Sequence, residues 1–189
     1  GPQDPNHPWY HVGFRVARYA FTPTTQIDDS VLIGWNMISN PVTVVYDSVR
    51  SLFPTASFDY AFAFDPGTGY VQSHAMDNGK GYWEKFPAAT GVTLVGLPRT
   101  RDSMSIVTGW NMVGTISSTV DTSAIVSVPP GLRASSWYGY GVAGYEPVAQ
   151  LVPGRGYWVK SHGAGVFILA APSLPDTSRA PSAVDRPRR

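Results

Sequence analysis

Gly34-Trp35-Asn36-Met37 returns as Gly109-Trp110-Asn111-Met112, 75 residues further on. Gly79-Lys80-Gly81-Tyr82-Trp83-Glu84-Lys85 returns as Gly154-Arg155-Gly156-Tyr157-Trp158-Val159-Lys160, again at an offset of 75. Gly69-Tyr70 matches Gly144-Tyr145, and Ser30, Val45, Ser48 and Pro54 match Ser105, Val120, Ser123 and Pro129, all without a gap. Self-similarity at a fixed spacing is the signature of an internal duplication, and it decides the fold before any single residue does. Neither copy is long enough to bury a large core alone. The expectation is therefore two tandem, pseudo-symmetric β-rich repeats, residues 30–96 and 105–170, packed into one compact body. A lead-in with a strand (residues 1–29), a polar joint (97–104) and a Pro-rich tail (171–189) complete the chain.

The β assignment follows from composition and alternation. Nineteen glycines and 17 prolines punctuate short runs of aromatic and β-branched residues. Charged residues make up 14% and aromatics 13%. Glu stands only at 84 and 146, and Lys only at 80, 85 and 160, so good helix formers are scarce. About five short strands are predicted per repeat: 31–38, 61–64, 70–74, 81–86 and 92–95 in the first, and 106–114, 136–140, 145–150, 156–160 and 166–169 in the second. A helical turn is predicted over 47–53, capped by Ser or Asp and closed by Pro54. Residues 9–21 read as a further strand, and 22–29 as a linker.

Several function classes are disfavoured at this level. A net charge of +1, with a basic cluster only at Arg186, Arg188 and Arg189, gives no field to steer nucleic acid or an anionic membrane. Cysteine is absent, which removes disulfide and thiolate chemistry. No apolar run reaches the roughly 18 residues of a membrane-spanning helix. Enzyme signatures are missing: no Gly-x-Ser-x-Gly elbow, and no carboxylate pair in a recognisable setting. His7 and His11 make a poor metal pair with Pro8 between them. Calcium at the loop aspartates Asp28, Asp29, Asp65 and Asp77 is the one cofactor left open, without the spacing of a calcium loop. The chain reads as a non-enzyme.

The repeated Trp35, Trp83, Trp110 and Trp158 are expected to be core anchors, each burying about 150–250 Å². Met37 and Met112 share their strand faces and join that core. The most site-like stretch is the run from Trp137 to Tyr145, where alternation sends some rings outward beside a Gly-rich turn. The corresponding region of the first repeat carries Phe62, Phe64 and Tyr70. Trp137, Tyr138, Tyr140 and Tyr145 are the candidate ligand platform, with Arg155 exposed on its turn as a further contact.

Together, the Gly-Trp-Asn-Met block, the Tyr-containing hairpin and the Gly-(Lys/Arg)-Gly-Tyr-Trp-x-Lys block resemble a repeat found near the C-terminus of secreted, multidomain bacterial surface proteins. Such proteins often end in a type IX secretion sorting domain. Methionine here stands where that repeat usually has leucine. Gly13-Phe14-Arg15-Val16-Ala17-Arg18 resembles the closing strand of formylglycine-generating-type domains, although an ordinary linking strand fits as well. The resemblance implies a secreted, cell-surface location, and it carries over no catalytic residues. The leading expectation is a non-catalytic structural or adhesive module whose partner is a surface glycan or protein. Carbohydrate binding through the exposed aromatic hairpin is the alternative, and self-assembly with copies of itself a second.

Overall fold

The computed structural model describes residues 23–172. The strand expected over 9–21, His7 and His11, and the tail beyond Pro172 lie outside the described residues. The first half holds strands β1 (Thr25–Val31), β2 (Gly34–Ser39), β3 (Val42–Thr43), β4 (Ala61–Asp65), β5 (Gly69–Ser73), β6 (Gly81–Phe86) and β7 (Thr90–Pro98). The second holds β8 (Arg101–Ile106), β9 (Gly109–Val113), β10 (Val120–Asp121), β11 (Val126–Val128), β12 (Trp137–Gly141), β13 (Gly144–Val148), β14 (Gln150–Leu151), β15 (Tyr157–Ser161) and β16 (Gly165–Ala170). The only α-helix among the described residues is the single turn α1 (Val49–Leu52). Its cap is Ser48, whose hydroxyl accepts the Ser51 N–H. The protein is all-β.

Two stretches read as linkers are strand instead. β1 begins at Thr25 and runs antiparallel to β7 along its whole length. Between β7 and β8 only Arg99 and Thr100 remain as a joint. Polar outward residues hid both strands, because only alternate positions of a half-buried strand are apolar.

Each half folds into a four-stranded sheet, β2-β6-β4-β5 in the first and β9-β15-β12-β13 in the second. Each also has a three-stranded sheet, β1-β7-β3 and β8-β16-β11. The third strands differ: β3 pairs at Pro98, the far end of β7, whereas β11 pairs with Val166–Ile168 of β16. The second half adds the short pair β10-β14.

Register corrects the gap-free alignment. Phe62 pairs with Trp83, and Tyr138 pairs with Trp158, so β4 and β12 correspond at an offset of 76. The hairpin restores 75 by losing a residue: Asp65 pairs with Gly69, but Gly141 pairs with Gly144. A one-residue slip moves every side chain to the opposite face. A strict offset of 75 sets Trp137 on Phe62; the sheet sets it on Ala61. Both Trp137 and Ala61 are buried.

Each half encloses its own core, around Phe53, Tyr82 and Phe86 in the first and Trp137, Tyr157 and Phe167 in the second. A third cluster, Met37, Met112 and Trp158 with Phe64, Trp83 and Tyr138 against it, lies between the halves. Backbone hydrogen bonds also cross there. Ser39 N–H donates to Gly154 O at 2.7 Å, and Gly114 N–H donates to Gly79 O at 3.0 Å. These two bonds join positions that exchange under the 75-residue shift.

Candidate functional site

The repeated blocks resolve into separate duties. Gly34 and Gly109 take φ of +92° and +94°, a conformation that favours glycine, at the turns leading into β2 and β9. Asn36 closes its turn by accepting the Leu32 N–H and donating to Leu32 O, each at 2.8 Å. Asn111 does the same at Val107, at 2.9 and 2.8 Å. Gly81 and Gly156 are needed for close approach: a Cβ there would lie 2.7 Å from Val113 O and 2.9 Å from Ile38 O, backbone of the other half. The buried Tyr82 and Tyr157 hydroxyls accept the Asp77 and Val152 N–H groups at 2.8 Å. Burial raises both phenol pKa values above the ordinary range. Met37, Met112 and Trp158 pack between the halves, with Trp83 half-buried beside them.

Trp35 and Trp110 depart from the expected core: each is 42% exposed. They lie on β2 and β9, the end strands of their sheets, on the same face as Met37 and Met112. The opposite half covers the methionines and leaves the indoles two residues away uncovered. Trp35 is backed by Phe62 (centroids 5.8 Å apart) and Phe58 (6.3 Å), and Trp110 by Tyr138 (6.1 Å) and Trp158 (6.3 Å). Trp137 is the converse. Proposed as part of the exposed platform, it is 1% exposed and packs on Phe167 at 5.3 Å.

The aromatic faces of the four-stranded sheets enclose two open grooves. The first, about 470 Å³, is lined by Trp35, Phe62, Tyr70 and Trp83 of one half and Tyr140 and Tyr145 of the other. The second, about 460 Å³, is lined by Trp110, Tyr138, Tyr145 and Trp158, with Phe64 crossing from the first half. Tyr145 lines both, so the grooves adjoin. Edge-to-face contacts fix the rings across the joint: Trp83 to Tyr140 at 4.7 Å, and Phe64 to Trp158 at 4.8 Å. Such pairs add about 0.5–1.5 kcal/mol each beyond area burial. The Tyr145 phenol pKa is raised by partial burial and then by Tyr70. The structure thus brings Tyr138, Tyr140 and Tyr145 together and adds Trp35, Phe62, Phe64, Tyr70 and Trp110 to them.

Arg155 is not a free contact on a turn. Its guanidinium meets the Asp29 carboxylate at 2.7 Å and Ser30 O at 3.2 Å, tying the second half to β1. The other loop carboxylates also have partners: Asp77 with Lys80 at 2.8 Å, and Asp65 with the N–H groups of Gly67 and Thr68 at 2.9 Å. The Thr68 hydroxyl first, and then those backbone donors, hold the Asp65 pKa low. Among the described residues no three His, Asp or Glu side chains converge to hold a metal ion.

Sequence reading did not single out Glu84. It is fully buried on the reverse face of β6 from Trp83, with Oε2 unpartnered. Burial pushes its pKa up to about 7, against a hydrogen bond from Lys85 N–H at 3.0 Å and the charge of Arg50. The corresponding Val159 is equally buried, so this position is an apolar slot that one half fills with a carboxyl group.

No family model, no curated protein and no solved structure matches the chain.

Proposed function

We propose that the chain is a non-catalytic, glycan-binding adhesive module of a secreted surface protein, with the aromatic grooves as its binding site. One observation carries this reading: Trp35 and Trp110 are kept in both copies, yet each leaves 42% of its surface exposed. Interior packing accounts for the methionines, tyrosines and glycines of the same blocks, but not for these indoles. Each is braced on one side by other rings and open on the other. An open indole face is a platform for the C–H face of a sugar ring, and the tyrosine hydroxyls along the groove supply polar contacts. The reciprocal bonds Ser39–Gly154 and Gly114–Gly79 support a pseudo-twofold relation between the halves, which gives two similar subsites on one surface. The secreted location comes from the resemblance of the repeated blocks.

The test is affinity gel electrophoresis against a panel of soluble polysaccharides, with Trp35→Ala/Trp110→Ala and Tyr145→Ala variants. Retention of the wild type and a loss of at least about fivefold in each variant are expected for central aromatic contacts. No retention on any polysaccharide, or retention unchanged by these substitutions, would refute the reading. Capture of proline-rich peptides instead would assign the grooves to peptide recognition and refute it equally.

A further inference from the structure

Lys85 and Lys160, the last members of the repeated Gly-x-Gly-Tyr-Trp-x-Lys block, remain without a structural duty. Lys85 is the cross-strand partner of Trp35, and Lys160 the cross-strand partner of Trp110. Directly opposed residues of an antiparallel pair share a face, with Cβ atoms about 4.5–5.5 Å apart. Each exposed indole therefore has an exposed lysine opposite it on the same sheet face. Among the described residues neither lysine joins an ion pair, whereas Lys80 and Arg155 of the same blocks both do. The groove linings themselves carry no charge.

Resting on the glycan reading above, we infer that the ligand is a polysaccharide with carboxylates on its rings, a uronate chain. A pyranose stacked flat on Trp35 or Trp110 directs the carboxylate of a uronic acid outward from the ring edge. Lys85 or Lys160 lies beside that edge. The uncharged groove lining takes the C–H faces, and the lysine opposite each exposed indole takes an anionic substituent. The same arrangement disfavours single-stranded nucleic acid, which needs positive charge along the whole groove to follow its phosphates. Two isolated lysines, one beside each exposed indole, do not supply it.

The experiment compares polygalacturonate with its methyl-esterified form, which keeps the rings and removes the charge. Wild-type protein is expected to prefer polygalacturonate. That preference disappears at molar salt, where the screening length falls to about 3 Å. The Lys85→Met/Lys160→Met variant keeps the aliphatic stems. It is expected to bind polygalacturonate about three- to tenfold more weakly, the range for two exposed charge contacts, and the ester unchanged. Equal binding of acid and ester by the wild type overturns the inference while leaving the glycan reading intact. A preference that survives both methionine substitutions overturns it as well, as does equal affinity for oligothymidylate. Binding of neither polysaccharide overturns it too; the wider neutral panel then decides whether the glycan reading falls with it.

Discussion

Glu84→Gln isolates a charge that the fold works against. In the folded protein the carboxyl pKa is about 7, raised from 4.5 by burial. The folded state thus holds its proton over a range where the unfolded chain has released it. The contribution to stability is complete below pH 4.5, falls as pH rises, and becomes a full penalty above about pH 7. The shift of 7 − 4.5 = 2.5 units, at 1.36 kcal/mol per unit, makes that penalty on the order of 3 kcal/mol. Glutamine keeps the shape and cannot ionise. Its amide group, set where Oε2 has no partner, costs about 1–3 kcal/mol, but equally at every pH. Urea unfolding of both proteins from pH 4 to pH 8 gives the difference in stability as a function of pH. Carboxylates held low by their partners, such as Asp28 and Asp121, titrate in both proteins and cancel. The difference is expected to move in favour of the glutamine variant by on the order of 3 kcal/mol across this range, or about 6–12 °C in Tm. A difference that stays flat with pH would show that the carboxyl group is hydrated or paired in solution and would refute the reasoning.

Three further outcomes follow from the packing. Trp137→Ala is expected to cost about 3–5 kcal/mol in urea unfolding, as a large cavity in the second core, whereas Trp35→Ala, which removes an indole only partly buried against Phe58 and Phe62, costs roughly half as much. Equal losses would contradict the assignment of Trp137 to the core and Trp35 to the surface. Gly81→Ala drives a Cβ to 2.7 Å from Val113 O and should destabilise by about 1–3 kcal/mol; unchanged stability would mean that the halves do not meet there. Asn111→Ala removes the side chain that closes the turn before β9, at an expected cost of about 1–2 kcal/mol. The amides of Val107 and its neighbours should lose hydrogen-exchange protection, and retained protection would count against this role.

Alternation and the recurring blocks are local properties, so the sequence by itself determined the all-β class, the recurrence of its motifs at 75 residues and, within a single strand, which residues share a face. Within β2, Trp35 and Met37 alternate with Asn36 and Ile38 whatever surrounds them, whereas Ile33, read as part of the same strand, lies in the turn before it. What alternation cannot carry is how much of a face the rest of the chain covers. Met37 is buried and Trp35 is open, although they are two residues apart on one face, because the second half reaches only one of them. Parity failed at Trp137 for a related reason. One residue gained before β12 and one lost in its hairpin leave the overall offset at 75 and invert the strand between them. Arg155 found Asp29 across 126 residues, a distance over which no local pattern speaks. Strand periodicity is written residue by residue, whereas burial depends on which surfaces meet, and only the packed halves decide that.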